Sequence, residues 1–460
     1  MELRNSFRYP AYRDSGIPWL GDVPNHWEVK KLKHCCVYSA VYGANEPAEK
    51  YADEGVRFLR TTDIEDSGVL KANDAVFIDK ETIKDYILND GDILLSRSGT
   101  IGRSFLYNKV LHGECSYAGY LVRFVLKKGY FPKFIFYFSK SRAFFDWINV
   151  SVIQSTIGNV NGQKYANLSI AIPSFPEQQA IAEYLDRETN QIDTLIAKYT
   201  RLLDLLAEKR TALITHTVTH GLPSPSGEDK GEGSYKPSGI PWLGDVPNHW
   251  EVKTIKNVSG HSSATVQTGP FGAQLHSSDY TDEGVPLILI KNVFGLKIHD
   301  DDIPKISQSK AESLSMYRLQ KDDIVFSRVG SIGRIAPVTD KEIGWLISGQ
   351  MLRLRLNNPD FDNRYLLYVF SCEETLKYVD LHSVGSTRDS INTEILRNMP
   401  FVSPPLPEQQ AIANYLDQQT AKIDQAREKI QTLIEKLLER RSALITAAVT
   451  GKIPLSEVQN

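Results

Sequence analysis

The stretch Pro176-Glu177-Gln178-Gln179-Ala180-Ile181-Ala182 occurs twice in the chain, because it returns unchanged from Pro407 to Ala413. Tyr184-Leu185-Asp186 likewise returns as Tyr415-Leu416-Asp417. A proline followed by a glutamate is a favourable helix start, since proline fixes φ and the acidic side chain lies at the positive end of the helix dipole. Each copy therefore predicts that a helix begins there.

Behind each start, apolar residues recur every seven positions, and no proline or glycine interrupts them. The first copy has Leu185, Ile192, Tyr199, Leu206 and Leu213, interleaved by Ile181, Leu195 and Leu202. The second copy has Leu416, Ile423, Ile430, Leu437 and Leu444, interleaved by Ile412, Ala426 and Leu433. Two apolar rows per heptad are typical of coiled coils, so we expect two long helices that pair with each other. A long amphipathic helix packed inside one domain is the alternative.

A second repeat stands ahead of each helix. Ser15 through Lys30 recurs unchanged as Ser238 through Lys253, at an offset of 223 residues, whereas the helix starts repeat at an offset of 231. Between these landmarks the two halves have diverged, which indicates two copies of one scaffold that carry different surfaces. The predicted division is a first domain at 1–172, a helix at 173–220, a linker at 221–237, a second domain at 238–403, a helix at 404–450 and a tail at 451–460.

Length and composition limit the possible classes. A chain of 460 residues is too long for one core, and 41% hydrophobic with 24% charged residues is ordinary for a globular protein. No signal-peptide core or membrane-spanning run is present, so we expect a cytoplasmic protein without a membrane partner. The four cysteines have no zinc spacing. A net charge of −3 argues against nucleic-acid binding by bulk charge and leaves local basic loops.

Each half shows the same order of short strands and helices. In the first half, a strand that leads into a polar turn is predicted at 57–64, and a turn, a buried strand and a glycine loop at 90–103. Further strands are predicted at 119–126 and 168–173, with a helical segment at 132–150. The second half repeats this order from Pro286 to Val402. Each half is therefore predicted to be a mixed α+β domain.

A glycine-rich loop follows a buried strand in each half. These loops are Ser96-Arg97-Ser98-Gly99-Thr100-Ile101-Gly102-Arg103 and Ser327-Arg328-Val329-Gly330-Ser331-Ile332-Gly333-Arg334. Glycines let the backbone approach a ligand closely, while hydroxyls and arginines suit phosphate oxygens. The Gly-Lys-Ser/Thr end of a Walker motif is missing. The pattern favours phosphate contact, with a tight turn that exposes its arginines as the alternative.

Two aligned positions differ between the halves. Arg60-Thr61-Thr62-Asp63 is matched to Ile290-Lys291-Asn292-Val293, and Gly119-Tyr120 is matched to Gly349-Gln350. Arg, Asn and Gln are the side chains that make bidentate contacts with guanine and adenine edges. Divergence at such positions within a shared frame is what two different base readouts require. Ordinary surface drift is the alternative.

The sequence contains no motif for catalysis. It has no Asn/Asp-Pro-Pro-Tyr/Phe motif for base methylation, no glycine-rich S-adenosylmethionine loop and no nucleophile elbow. Asp22 with Glu28-Val29-Lys30 loosely imitates the Asp…Glu-X-Lys of metal-dependent nucleases, but its Asp–Glu spacing is short and its tryptophan neighbours favour packing. We therefore expect no catalytic residue and no metal site.

The duplicated motifs together resemble the specificity (S) subunit of type I restriction–modification systems. The resemblance covers nearly the whole chain and rests on the Gly-Ile-Pro-Trp-Leu-Gly openings, the Ser-Arg-x-Gly-x-Ile-Gly loops and the Pro-Glu-Gln-Gln-Ala-Ile-Ala-x-Tyr-Leu-Asp helix starts. It implies an α+β protein with two target-recognition domains, separated by two long helices that pair as an antiparallel coiled coil. Each domain would read one half of a bipartite, asymmetric site in double-stranded DNA.

The resemblance also implies partners and cofactors. The helices would set the spacer between half-sites and dock two methyltransferase (M) subunits, which bring S-adenosylmethionine and methylate adenine-N6. Restriction (R) subunits would bring ATP, Mg²⁺ and DNA cleavage. This chain itself would hold no cofactor and catalyse no reaction. A scaffold protein, whose coiled coil oligomerises and whose domains bind protein, is the alternative from another class.

The candidate DNA-binding residues lie in the glycine-rich loops, at the diverged positions and in one polar loop of each half. In the first half they are Arg60, Thr61, Thr62, Ser96, Arg97, Ser98, Thr100, Arg103, Tyr120 and Thr156. In the second half they are Lys291, Asn292, Ser327, Arg328, Ser331, Arg334, Gln350, Thr387 and Arg388. The candidate residues for a subunit interface, at the repeated helix starts, are Gln178, Gln179, Tyr184, Gln409, Gln410 and Tyr415.

Overall fold

The protein consists of two compact units that share both long helices. The structure, a computed structural model, describes residues 9–153, 159–223, 235–240, 243–259, 266–329, 333–383 and 391–453. Unit 1 comprises Met1–Thr200 with Gln431–Asn460, and unit 2 comprises Arg201–Ile430. Each long helix therefore contributes residues to both units.

Unit 1 begins with short strands and ends with a long helix. Its strands are β1 (Tyr12–Asp14), β2 (Asp22–Pro24), β3 (Glu28–Lys31), β4 (Val41–Tyr42), β5 (Val56–Leu59), β6 (Phe77–Ile78), β7 (Ile93–Ser96), β8 (Ser104–Leu106), β9 (Cys115–Tyr117), β10 (Leu121–Phe124) and β11 (Ser169–Ile172). Its helices are α1 (Leu32–Cys35), α2 (Lys80–Ile83), α3 (Lys109–His112), α4 (Pro132–Phe138), α5 (Arg142–Ile153), α6 (Gly162–Ala166) and the start of α7 (Phe175–His220). The segment expected to be helical at 132–150 is thus two helices, α4 and α5.

Unit 2 repeats this order with some insertions. Its strands are β12 (Tyr235–Pro237), β13 (Asp245–Pro247), β14 (Glu251–Thr254), β15 (Val266–Thr268), β16 (Tyr280–Thr281), β17 (Val285–Ile288), β18 (Val293–Phe294), β19 (Lys297–Ile298), β20 (Lys305–Ile306), β21 (Ile324–Ser327), β22 (Ile335–Pro337), β23 (Leu346–Ile347), β24 (Met351–Leu354) and β25 (Pro400–Ser403). Its helices are α8 (Ile255–Ser259), α9 (Gln308–Ser313), α10 (Asn363–Ser371), α11 (Glu373–Ser383), α12 (Thr393–Asn398) and the start of α13 (Leu406–Val449).

The central sheet of each unit has the same strand order. In unit 1 the order is β4-β10-β7-β8, and in unit 2 it is β15-β24-β21-β22, with all neighbours antiparallel. A second sheet contains the parallel pair β5–β9 in unit 1 and β17–β23 in unit 2. This correspondence allows residues of the two units to be matched by register, independently of sequence similarity.

The repeated sequence motifs form a frame around each diverged segment. Strand β3, from the first repeat, pairs antiparallel with β11, which leads directly into α7. Strand β14 pairs with β25 in the same way ahead of α13. The two ends of each diverged segment are therefore held side by side, and everything between them can change without altering the frame.

The long helices pair antiparallel, as expected. In unit 1, Ile181 and Leu185 of α7 share a core with Ile445 and Ala448 of α13, while Asp193 of α7 forms a 2.8 Å ion pair with Arg441. In unit 2, residues near the end of α7 share a core with residues near the start of α13; they are Ile214 and Val218 with Ile412 and Leu416. In both units, residues later in α7 lie against residues earlier in α13, so the two helices run antiparallel.

The first predicted apolar row is buried or half-buried along the whole helix pair, whereas the interleaved row is exposed at several positions. Leu185 and Leu416 are fully buried, as are the first members of the interleaved rows, Ile181 and Ile412. Further along the interleaved rows, however, Leu195, Leu202 and Leu433 are 42%, 40% and 43% exposed. The physical reason is that two helices cover only one stripe of each other, and the second row is buried only where a domain packs on it.

Across the described residues, the structure contains no helix that is both long and apolar enough to span a membrane.

The core of unit 1 includes Trp27, and that of unit 2 includes Trp250, each from the repeated Pro-Asn-His-Trp sequence. Packing is therefore the role of these tryptophans, as the sequence predicted for the neighbours of the nuclease-like pattern.

Candidate nucleic-acid interface

The glycine-rich loop of each unit is closed by its first serine. Ser96 is fully buried at the end of β7, and its Oγ accepts a hydrogen bond from the backbone N of Arg103 at 3.1 Å. Ser327 at the end of β21 is also fully buried and accepts from Arg334 N at 3.2 Å. The assignment of these two serines to DNA contact is corrected by this burial, because a side chain inside the loop cannot reach an external phosphate.

The second residue of each loop, an arginine, is attached to a diverged position. The backbone N of Arg97 donates to Tyr120 O at 3.0 Å, and the backbone N of Arg328 donates to Gln350 O at 2.8 Å. The structure therefore brings together two pairs of predicted site residues that lie more than 20 positions apart in the sequence. Tyr120 is 61% exposed, and Gln350 is also exposed.

Both loop arginines are half-buried, and one nitrogen of each guanidinium group is inaccessible to water. Within the described part of the chain, neither Arg97 Nε nor Arg328 Nε has an acceptor, although each nitrogen is inaccessible to water. The guanidinium of Arg97 also lies 5.1 Å from the ring centroid of Tyr42, a distance typical of a cation–π contact. The register places Thr268 where Tyr42 stands, so Arg328 has no equivalent ring. The buried Nε atoms are out of reach of an external phosphate, so a phosphate or base edge would contact the terminal nitrogens of these half-buried arginines.

The last arginine of each loop is tied to the protein. Arg103 Nη1 donates to Ile64 O at 2.9 Å, and its Nε forms a 2.6 Å ion pair with Asp66. Arg334 Nη1 donates to Ile290 O at 3.1 Å. These bonds join the glycine-rich loop to the turn that follows β5 or β17. An open cleft of about 580 Å³ lies against the loop of unit 1, between Asp66 and Phe145.

That turn changes the alignment inferred from sequence. In unit 1, Asp63 Oδ2 accepts from Arg60 N at 2.8 Å, and in unit 2, Asn292 Oδ1 accepts from Leu289 N at 3.1 Å. Asp63 and Asn292 are thus equivalent, so the sequence-based match of Arg60 with Ile290 is displaced by one residue. Asn292 is 2% exposed, and its assignment as a DNA-binding residue is corrected to a capping role.

Several other predicted DNA-binding residues are exposed or half-buried and stay predictions. Thr62 and Lys291 are exposed, while Arg60, Thr61, Ser98 and Thr100 are half-buried. Arg60 forms a 2.7 Å ion pair with Asp63, and this hydrogen-bonded carboxylate raises the pKa of the guanidinium. Lys291 pairs with Asp302 at 2.5 Å. Thr156, Ser331, Thr387 and Arg388 lie outside the described residues.

Two of the predicted interface residues are internal. Gln178 is 1% exposed; its Oε1 accepts from Phe131 N at 2.8 Å and its Nε2 donates to Pro173 O at 2.9 Å. Gln409 repeats this arrangement with Asp362 N at 3.0 Å and Pro404 O at 2.9 Å. Their assignment to a subunit interface is therefore corrected to a role in holding α7 and α13 to their domains. Gln179, Tyr184 and Tyr415 are half-buried and Gln410 is exposed, so these four stay predictions.

The glutamate of the repeated helix start has a role that sequence reasoning missed. Glu177 is 3% exposed and accepts hydrogen bonds from Tyr9 Oη at 2.6 Å and Trp27 Nε1 at 3.0 Å, with His26 Nε2 at 3.1 Å. The available signal was that Pro-Glu-Gln-Gln and Pro-Asn-His-Trp are both repeated without change. Two invariant sequences at the two ends of a diverged segment are expected when they contact each other.

The fold and the loops define a class of protein: a duplicated α+β scaffold that presents the same arginine-bearing loop twice beside different side chains. The sequence profile of the type I restriction modification DNA specificity domain matches residues 24–202 and 247–436. The chain therefore belongs to the family of type I restriction–modification DNA specificity subunits, and it carries the specificity domain twice.

Individual relatives are similar over nearly their whole length. The specificity subunit of the type I restriction enzyme StySPI from Salmonella potsdam is 22% identical, over 94% of this chain and 90% of that subunit. The EcoKI specificity subunit from Escherichia coli (strain K12) is 21% identical, with the same coverage of 94% and 90%. A solved structure from work on complex assembly and conformational transition of the type I R-M system has a TM-score of 0.63 at 17% identity, covering 94% of this chain and 99% of that one.

Proposed function

We propose that each unit reads one half of a bipartite, asymmetric site in double-stranded DNA through the exposed end of its central sheet. One observation carries this proposal: Arg97 with Tyr120, and Arg328 with Gln350, occupy the same backbone frame but present different side chains. The shared arginine suits the phosphate backbone, which is the same for every sequence. The differing partner suits a base edge, which changes with the DNA sequence.

In this proposal the chain recognises DNA and leaves the chemistry to its partners. Among the described residues, no group of three or more His, Cys, Asp or Glu side chains is placed to hold a metal ion. Methyltransferase (M) subunits would supply S-adenosylmethionine and methylate adenine-N6, and restriction (R) subunits would supply ATP, Mg²⁺ and cleavage. A net charge of −3 supports a subunit that binds DNA tightly only together with such partners. The complex would act in the cytoplasm.

The exposed leucines of the helices support docking of two M subunits. Leu202 and Leu433 occupy equivalent positions, at the repeat offset of 231 residues, and are 40% and 43% exposed. Apolar residues at matched helix positions, uncovered within the chain, are typical of surfaces that a partner covers. Two equivalent positions imply two equivalent docking sites, hence one M subunit for each.

Lysine substitutions at these leucines test the docking. Leu202→Lys or Leu433→Lys alone should leave complexes with one M subunit, and the double variant should leave none, as measured by mass photometry of the purified mixture. Leu438→Lys is the matched control, because Leu438 is 52% exposed but its repeat equivalent is Ala207. Full assembly by the double variant would contradict the docking assignment.

DNA binding itself is tested by gel shift with the chain alone and with its M subunit. Genomic DNA that carries the strain's methylated motif should be retained by the complex far more strongly than DNA in which either half-site is scrambled. A complex that assembles but binds both DNAs equally would contradict the proposed function and favour a scaffold role.

A further inference from the structure

A tight backbone crossing lies beside the arginine of each glycine-rich loop. In unit 1, Ala44 N donates to Tyr117 O at 2.9 Å and Gly119 N donates to Ala44 O at 2.8 Å. A Cβ atom at Gly43 would clash with the carbonyl oxygens of residues 117 and 118, so only glycine allows this approach. The crossing fixes the path of the chain just after β4.

Unit 2 contains the same crossing. Gly269 N donates to Met351 O at 3.1 Å, as Gly43 N donates to Leu121 O at 3.3 Å in unit 1. A Cβ atom at Gly269 would clash with the carbonyl oxygens of residues 347 and 348. The strand registers Tyr42 with Val122 and Thr268 with Leu352 make Gly43 and Gly269 equivalent. Two residues further on, Asn45 and Phe271 are therefore equivalent positions, although the sequences around them share no motif.

The crossing places Asn45 of unit 1 and Phe271 of unit 2 against the glycine that precedes the diverged position, which is Tyr120 or Gln350. A Cβ atom at Gly119 would clash with the amide oxygen of Asn45, so Asn45 lies directly beside Gly119 and its neighbour Tyr120. In unit 2, a Cβ atom at Gly349 would lie 2.6 Å from Phe271 Cβ, so Phe271 lies beside Gly349 and its neighbour Gln350. Asn45 is exposed, and Phe271 is 61% exposed.

Each unit thus presents one amide and one aromatic ring, with the positions exchanged. In unit 1, Asn45 lies against Gly119, the residue before Tyr120, whereas in unit 2 Phe271 lies against Gly349, the residue before Gln350. Asparagine and glutamine amides make paired hydrogen bonds to adenine, while aromatic side chains contact thymine methyl groups or wedge between base steps. The backbone at the exposed Phe271 is held in place by the glycine-dependent crossing.

We infer that Asn45 with Tyr120, and Phe271 with Gln350, are two-residue readers that determine specificity, one in each DNA half-site. Asn45 and Phe271 are the new members of this set. The inference rests on the proposed DNA recognition and deepens it. The crossing and the arginine, which both units share, fix the backbone frame. The side chains at the two positions determine which base pair is recognised.

The test uses the full chain expressed with its M subunit, and the readout is the methylated motif obtained by long-read sequencing. Asn45→Ala should relax one base pair in the half-site read by unit 1, by about tenfold to a hundredfold in discrimination, and leave the other half-site unchanged. Phe271→Ala should relax one base pair in the opposite half-site only.

Matched controls lie before β7 and β21, at the ends of these strands opposite to Arg97 and Arg328. Asn89 and Gln320 are exposed in the turns before β7 and β21, whereas Arg97 and Arg328 follow those strands. A four-residue strand separates the two ends by about 13 Å. Asn89→Ala and Gln320→Ala should therefore keep the wild-type motif.

An exchange variant gives a gain of function rather than a loss. Asn45→Phe combined with Tyr120→Gln places the pair of unit 2 in the frame of unit 1, and the base preference at one position of that half-site should change. Variants that assemble with M subunits and retain the wild-type motif at every position would overturn the inference. Uniform weakening at all sequences would also overturn it, since that result indicates backbone contact. A wild-type complex without any motif would instead contradict the proposed function.

Discussion

The indole Nε1 of Trp27 donates a 3.0 Å hydrogen bond to Oε1 of Glu177, which joins the first repeated motif to the second. The same oxygen accepts from Tyr9 at 2.6 Å, and burial together with this carboxylate raises the pKa of the Tyr9 hydroxyl. Trp250 Nε1 and Glu408 Oε1 repeat the bond at 3.1 Å in unit 2. Because the pair connects the N-terminal end of a diverged segment to the helix that follows it, the frame closes independently of what lies between.

Removing the glutamate should destabilise unit 1 more than unit 2. Glu177→Ala leaves the buried donors of Tyr9 and Trp27 without an acceptor, so we expect unit 1 to lose about 2–4 kcal/mol of unfolding free energy. The Glu408 side chain is 30% exposed, so water can replace it and Glu408→Ala should cost only about 1 kcal/mol. Urea unfolding followed by hydrogen exchange in each unit measures both values.

Glu177→Gln is the matched control for this pair, because it keeps an acceptor oxygen at the same place and should cost less than Glu177→Ala. Equal losses from Glu177→Ala and Glu408→Ala would contradict the assignment of the difference to burial.

The loop arginines should contribute affinity without sequence preference. Arg97→Ala or Arg328→Ala should weaken binding of the assembled complex to specific and unrelated DNA by the same factor, and should reduce the slope of log K against log salt by about one unit each. Arg142→Ala, at an arginine whose side chain is 81% exposed on α5, is the control. A loss confined to one base position, with the salt slope unchanged, would show that the arginine reads a base.

Lys140 should give unit 1 a stability that rises with pH. Its Nζ donates to Asp66 O at 2.9 Å, and burial, with Arg441 as a secondary cause, lowers its pKa from 10.5 to about 7. A lysine whose pKa is lower in the folded state than in the unfolded chain destabilises the fold at pH values below its folded-state pKa, because the charged form is then buried. That cost is lost as the pH rises from about 7 towards 10.5. The unfolding free energy of the wild type, relative to Lys140→Met, should therefore increase between pH 7 and pH 9.5.

Urea unfolding at several pH values measures this difference. Lys71→Met, at an exposed lysine in the same unit, is the control for replacing a lysine by methionine. A constant difference between wild type and Lys140→Met across the range would contradict the lowered pKa.

The sequence predicted the architecture because the architecture is repeated. Helix boundaries at Phe175 and Leu406 follow from the proline-glutamate starts, and strand β7 follows from an apolar run between a turn and a glycine loop. It could not predict which face of each helix stays open. Leu195 and Leu202 have the same spacing as buried heptad residues, and only the presence or absence of a packed domain distinguishes them.

The candidate site was predicted by residue type, and residue type does not report burial. Ser96 and Gln178 carry the polar groups that a DNA or protein contact needs, yet both satisfy those groups inside the fold. Asn45 and Phe271 could not be predicted from the sequence, because their equivalence depends on a backbone crossing between segments about 75 residues apart in the chain. Only strand register reveals such a match when the side chains have diverged.

Exchange of a whole segment tests the central claim most directly, because β25 pairs with β14 as β11 pairs with β3 and can take its place in the frame. Replacing residues 34–172 with residues 257–403 gives a chain with two copies of the second recognition segment on the same antiparallel helices. With its M subunit, this chimera should methylate a palindromic motif made of two copies of one half-site, with the original spacer. A folded, active chimera that still methylates the original asymmetric motif would contradict the account.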